Sequence, residues 1–231
     1  MSDKQVELPA LDINNNNYAM KVQRLFQKFG GKFIIGIAVV VAVVGGFYAY
    51  KEFVVKPKEQ KASELMYKAQ QYFSQDSSKK VLDGDVNSKG VLYIISNYSG
   101  TKSANLAKYY AGVSYLKLGQ FDKAIDYLKD FKTDAKQVQM VAYGCLGDAL
   151  AETGKKEDAV DYYEKAGTTF EKDESISAEY IFRAGLLSET IGKASKALAF
   201  YKDIKEKYPK TEKGAQIDKY INRLSIEKPD L

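Results

Sequence analysis

The nearest approach to ligand chemistry in this chain is Asp83-Gly84-Asp85, two carboxylates astride a glycine, which could open a calcium loop. The remaining oxygen positions of such a loop and its terminal Glu do not follow. The tripeptide therefore reads as a structural turn. There is no histidine in 231 residues. That removes the commonest general base, the Ser–His and Cys–His couples, and every His-ligated metal site. The single cysteine, Cys145, can form neither an internal disulfide nor a zinc or iron–sulfur cluster. Lying between Gly144 and Gly147, it reads as a buried, unreactive thiol. Gly112, Gly144, Gly147 and Gly185 follow no strand and match no phosphate-binding fingerprint. The 18 tyrosines could stack on bases, but Tyr115, Tyr163 and Tyr201 occupy packing positions, and a net charge of +5 gives no nucleic-acid footprint. The chain is expected to be no enzyme and to hold no cofactor, metal or nucleic acid.

What remains is a surface, and the elements that build it are repeats. LGQFDKAIDYL from Leu118, TGKKEDAVDYY from Thr153 and IGKASKALAFY from Ile191 align, with glycines at Gly119, Gly154 and Gly192, spaced 35 and 38 residues apart. Each glycine ends a helical run, helix A, and can take positive φ there. Helix B then opens near Asp122, Glu157 or Ser195, groups suited to a helix N-terminus by charge or as a cap. Its buried stripe reads Ala124/Leu128/Phe131, then Ala159/Tyr163/Ala166, then Ala197/Tyr201/Ile204. Small pairs before each glycine, Ala111-Gly112, Leu146-Gly147 and Ala184-Gly185, let helices approach closely. Pro209 closes the third helix B.

A degenerate unit precedes these three. Leu65, Met66, Ala69, Tyr72 and Phe73 share one side of a helix, DSSKKVLDGDVNSKG forms a long turn, and Val91–Tyr98 matches Tyr201–Tyr208 through Ile94 and Ile204 to Thr101 and Thr211. After Thr211, Ile217, Tyr220, Ile221 and Leu224 recur at helical spacing as a terminal cap. About nine helices and no sheet are expected.

Ahead of the repeats, Phe33–Tyr50 is 18 residues without a charge. As a helix it spans roughly 27 Å, close to the roughly 30 Å hydrocarbon core of a bilayer. Phe47, Tyr48 and Tyr50 would form an aromatic belt. A core strand of that length is excluded, and Val44-Gly45-Gly46 is a poor signal-cleavage site behind a 32-residue leader. Residues 1–17 read as a disordered polar tail. In 18–32, Val22, Leu25, Phe26 and Phe29 are interleaved with Lys21, Arg24 and Lys28, either a stretch lying on anionic lipid or a solvated extension of the span. Four lysines or arginines flank each side of the span, so the positive-inside rule does not discriminate. An uncleaved span with its bulk C-terminal favours the N-terminus inside. The organisation expected is tail 1–17, basic segment 18–32, transmembrane helix 33–50, linker 51–61 and repeat domain 62–231.

The order of small pair, Gly, Ala, aromatic and Ala at about 34 residues resembles the tetratricopeptide repeat, an all-α, right-handed helical solenoid. The resemblance covers roughly Asn105–Thr211. It departs in lacking the signature Trp, in Ser188 for a large residue, and in extra residues near Glu171–Ser175. It implies ligands along the inner faces of the A helices: Tyr109, Val113, Leu116 and Lys117; Val141, Asp148 and Glu152; Phe182, Leu186 and Glu189. That groove is expected to be apolar with an acidic half, suited to polypeptide with apolar and basic side chains. Lys117 alone stands where chaperone adaptors carry a carboxylate-clamping set. The whole layout, with the run NLAKYYAGVSYLKLGQFDKAIDYL, resembles the YfgM-like family of ancillary subunits of the bacterial Sec translocon. That implies a single-pass inner-membrane protein, N-terminus cytoplasmic and repeats periplasmic, with translocon subunits, chaperones or exported chains as partners. The alternative is a structural organiser of another envelope complex, in outer-membrane or cell-wall assembly.

Overall fold

The computed structural model describes residues 16–227; the expected tail before Asn16 and the last four residues lie outside it. The chain divides into two compact units at Lys56/Pro57.

In the first unit, α1 (Asn16–Tyr50) leaves helical geometry at Gly30, with φ 5° and ψ −94°. This break falls inside the basic segment 18–32, three residues before Phe33. The side chains of Val22, Leu25, Phe26 and Phe29, which carry the amphipathic reading of 18–32, lie outside the described residues. From Ile35 onward the helix is long and apolar enough to cross a membrane, and Val39, Val41 and Val43 are exposed along it. A π-helical turn, Lys51–Val55, follows. Pro57, lacking an N–H, cannot continue the regular ladder back to residue 53, and a widened turn accommodates that break.

The second unit opens with α2 (Lys56–Ser74), α3 (Ser78–Asp83), a hairpin of β1 (Gly84–Asp85) and β2 (Ser88–Lys89), and α4 (Val91–Asn97). Three helix pairs follow: α5 (Lys102–Lys117) with α6 (Phe121–Lys129), α7 (Lys136–Glu152) with α8 (Lys156–Thr169), and α9 (Glu174–Thr190) with α10 (Ala194–Lys207). α11 (Glu212–Glu227) ends the array. Among the described residues this unit has ten helices, one more than expected, and a two-stranded sheet where none was expected.

The missed elements lie in the stretch read as one long turn. Two-residue strands carry no alternation for a pattern to detect. Their turn is local side-chain chemistry: Asp85 accepts from the Asn87 N–H at 2.9 Å and the Ser88 hydroxyl at 2.8 Å, and the Tyr72 hydroxyl donates to it at 2.5 Å. These three donors hold the Asp85 carboxylate within the turn. The Tyr72 and Ser88 bonds also pull its carboxyl from 3.8 down to about 2. A depressed folded-state value means the hairpin is stabilised above pH 3.8 and loses that support as pH falls towards 2. Protection of the Val86–Lys89 amides from exchange, relative to their intrinsic rates, is therefore expected to fall over that window ahead of the helices. Simultaneous loss in both regions would refute this.

Each A helix ends as the glycine register requires. At Gly154, φ is 78°; its N–H reaches the Ala151 carbonyl at 3.1 Å and the Lys155 N–H reaches Leu150 at 2.9 Å. This is a Schellman closure, which satisfies carbonyls left over at the helix end. Gly119 and Gly192 repeat it. Helices α6, α8 and α10 start with Asp122, Glu157 and Ser195 in the first turn, but no side chain caps them. Asp122 and Glu157 contribute through charge alone. The three buried stripes are all in the core, and Tyr201, Phe131 and Ile204 are almost fully enclosed. The match of Val91–Tyr98 to Tyr201–Tyr208 is also structural. Thr101 and Thr211 each bond back to the tyrosine carbonyl, at 2.7 and 2.8 Å, and each accepts from a main-chain N–H at 3.0 Å. Glu59 of α2 adds a tie between neighbours, accepting from the N–H groups of Lys102 and Ser103 at the start of α5, at 2.6 and 3.0 Å.

Candidate functional site

Helices α5, α7, α9 and α11 are successive A helices, and the residues expected to bind lie along the face they share. The structure separates these residues by burial. Val113 and Phe182 are only 7% exposed. Phe182 is held edge-on to Tyr220 with ring centroids 4.8 Å apart, and Lys213 sits over its ring at 4.7 Å. Tyr109, Leu116, Val141, Asp148 and Glu189 are half-buried; Lys117, Glu152 and Leu186 are exposed.

The charges of this face are mostly answered from the next helix along. Asp148 of α7 accepts from Arg183 Nη1 of α9 at 3.1 Å and from the Tyr163 hydroxyl of α8 at 2.8 Å. Arg183 also donates through Nε to Glu179 at 2.8 Å, and Lys213 of α11 reaches the other Glu179 oxygen at 3.1 Å. Burial alone would raise the Glu179 carboxyl, but the bonds from Arg183 and Lys213 outweigh it and hold it below its usual value. One repeat later Arg223 Nη2 grips both oxygens of Glu189 at 2.9 and 2.7 Å, and the Tyr201 hydroxyl donates to the same carboxylate. Lys117 pairs with Asp76 at 2.5 Å. Of the carboxylates among the expected binding residues, Glu152 makes no ion pair with any of the described residues. Two of the three acids expected from register, Asp148 and Glu189, are thus paired with arginines.

Arg183, Lys213 and Arg223 were the residues missed in the sequence. Their signal was the repeat period: Arg183 follows Asp148 by 35 residues and Arg223 follows Glu189 by 34. An acid on one A helix therefore meets a base on the next.

The tyrosines on this face are packing residues with polar tips. Burial raises the hydroxyls of Tyr163, Tyr180 and Tyr201, which stay protonated, and those of Tyr163 and Tyr201 donate to Asp148 and Glu189. Burial, with Cys145 and Tyr110 adding, pushes Tyr109 up to about 12. The Cys145 thiol is likewise pushed up to about 12, first by burial and then by Asp148, so no thiolate nucleophile forms at neutral pH. Among the described residues no cluster of three metal-ligating side chains occurs.

A family model for the tetratricopeptide repeat matches residues 106–136 and 179–211, the α5–α6 and α9–α10 units. The chain carries tetratricopeptide repeats. Its second unit is an all-α tetratricopeptide-repeat solenoid, with the α7–α8 pair built on the same register of glycine, alanine and tyrosine. Such repeats are protein-interaction scaffolds. No curated protein matches the chain.

Proposed function

We propose that this chain is a membrane-anchored scaffold that binds polypeptides. In this reading the apolar run 33–50 spans a bacterial inner membrane, the N-terminus is cytoplasmic, and the repeats are periplasmic. They meet exported chains, chaperones or translocon subunits there. The observation that carries it is the A-helix face, where exposed apolar side chains such as Leu186 stand among ions already neutralised within the fold. Such a surface can accept an apolar segment without burying unpaired charge. The likeness of the layout to ancillary translocon subunits supplies the compartment.

A photocrosslinking residue placed at Leu116 or Leu186 in cells is expected to trap translocon subunits, chaperones or exported chains. Phe182 is unsuitable because it is buried. Capture of lipid alone, or of nothing, would overturn the reading. Recovery of one complex in fixed stoichiometry would favour the envelope organiser instead. A compartment reporter fused after Leu231 is expected to report the periplasm, and a cytoplasmic signal would invert the topology.

A further inference from the structure

Glu59 in the first turn of α2 bonds to the start of α5, and Asn105 Nδ2 of α5 donates to the Lys132 carbonyl after α6 at 2.8 Å. Thr133 N–H in turn donates to Gln139 Oε1 of α7 at 2.9 Å. These ties gather the first turns of α2, α5 and α7 and the end of α6 at one edge of the second unit. Six lysines of that edge, Lys58, Lys61, Lys102, Lys129, Lys132 and Lys136, are exposed, and none makes an ion pair among the described residues. The acids there are fewer. Glu59 is taken up by α5, Asp130 pairs with Lys108 at 3.3 Å, and Glu64 and Asp134 stand open. Farther along the same edge, Lys205, Lys207 and Lys213 are answered by Asp218, Asp203 and Glu179, and Lys172 and Lys210 lie in sequence among Glu171, Glu174 and Glu212. The excess of positive charge is thus concentrated next to α2.

α2 is also the element nearest the apolar run along the chain. It begins at Lys56, six residues after Tyr50, and six residues reach at most about 20 Å even fully extended. With 33–50 in a bilayer, chain length alone keeps the start of α2 within that distance of the headgroups. We infer that this lysine edge seats the repeats on anionic phospholipid headgroups, an inference that rests on the membrane-anchored reading above. Each lysine near such a surface adds an attraction that decays within a Debye length, about 10 Å at 0.1 M salt. An A helix such as α5, with 16 residues, is about 24 Å long. The opposite edge, formed by the Gly119, Gly154 and Gly192 turns, then lies beyond the reach of the surface charge.

The test is lysine acetylation, read by mass spectrometry, on the full chain in nanodiscs of neutral phosphatidylcholine and in nanodiscs containing phosphatidylglycerol. A negative lipid surface lowers the local pH by about half a unit, which slows acetylation of a nearby amine about threefold. Lys102, Lys129, Lys132 and Lys136 are expected to slow by that factor in the anionic discs, and to match the neutral discs in about 1 M salt. Lys123 and Lys155, at the glycine-turn edge, are expected not to change. In a variant carrying Lys102→Gln, Lys132→Gln and Lys136→Gln, all exposed side chains without an ion pair among the described residues, Lys129 is expected to react as fast as in neutral discs. If Lys129 stays slow there, the tether alone brings this edge to the lipid and the lysines do not seat it. Equal rates in the two discs, or equal slowing at both edges, would overturn the inference and leave the anchor standing. Slowing in neutral discs on addition of polyphosphate, with none from anionic lipid, would assign the lysines to a soluble polyanion instead. A chain that does not enter the discs at all refutes the anchored reading, and this inference with it.

Discussion

Replacing Tyr201 by alanine is expected to destabilise the repeat domain by about 3–5 kcal/mol, the range for truncating an enclosed aromatic. The side chain is 0% exposed. Its ring fills the space left by Gly185, where an added Cβ would fall 2.4 Å from the ring. It also packs against Phe182 and Tyr220, with centroids 6.0 and 5.6 Å away. Removing it opens a void beneath Gly185 and takes the hydroxyl from the Glu189 carboxylate. Tyr201→Phe separates packing from hydrogen bonding. It keeps the ring and leaves Glu189 with Arg223 alone, so it is expected to cost about 1.5–3 kcal/mol, the net worth of one hydrogen bond to a charged group. Denaturant unfolding of the two variants checks both figures. Equal losses would show that the ring's packing contributes nothing and that the hydroxyl is the whole effect.

The parts of this fold that were legible are those repeated with the period of the array. Gly119, Gly154 and Gly192 announce where each A helix stops because only a left-handed residue closes that turn cheaply. Alanines and tyrosines one helix later announce which side faces inward. The outer rim shows the same logic and was overlooked. Asp122 pairs with Lys155 at 3.9 Å and Glu157 with Lys193 at 3.7 Å, each acid three residues after its glycine and each lysine one residue after the next. Gln120 and Ser195 hold the outermost of these positions and are uncharged. Exposed pairs of this kind add little stability each, so their regularity is a matter of register more than energy.

What escaped the sequence has no period. The Gly84–Lys89 hairpin occurs once and depends on one carboxylate turning back on its own main chain. The neutralisation of the A-helix face depends on side chains from different repeats meeting, which a single repeat unit does not display. Reading Asp148, Glu152 and Glu189 as one acidic group treated three different environments as equal. Two are answered by arginines and one is not.

The close approach of α7 and α9 gives the second large effect, and here two principles oppose each other in sign. Gly144 lies inside α7, where alanine is favoured over glycine by roughly 0.5–1 kcal/mol on helix propensity. Yet a Cβ at Gly144 would stand 2.2 Å from ring atoms of Tyr180 and 2.3 Å from its oxygen. Tyr180 is 9% exposed and lies against the Arg183 guanidinium. For the ring to yield, Arg183 must shift from Asp148 and Glu179. Gly144→Ala is therefore expected to destabilise by about 1–3 kcal/mol, the usual cost of overpacking, in spite of its better propensity. In a Tyr180→Leu background the obstruction is gone, and the same substitution is expected to be neutral or stabilising. The double-mutant cycle should thus return a coupling of about 1–3 kcal/mol between the two positions. Should Gly144→Ala raise the midpoint in the unaltered protein, the contact does not limit the α7–α9 approach. Should the cycle close without coupling, the loss arises from α7 alone, and Tyr180 is not the element that sets Arg183 in place.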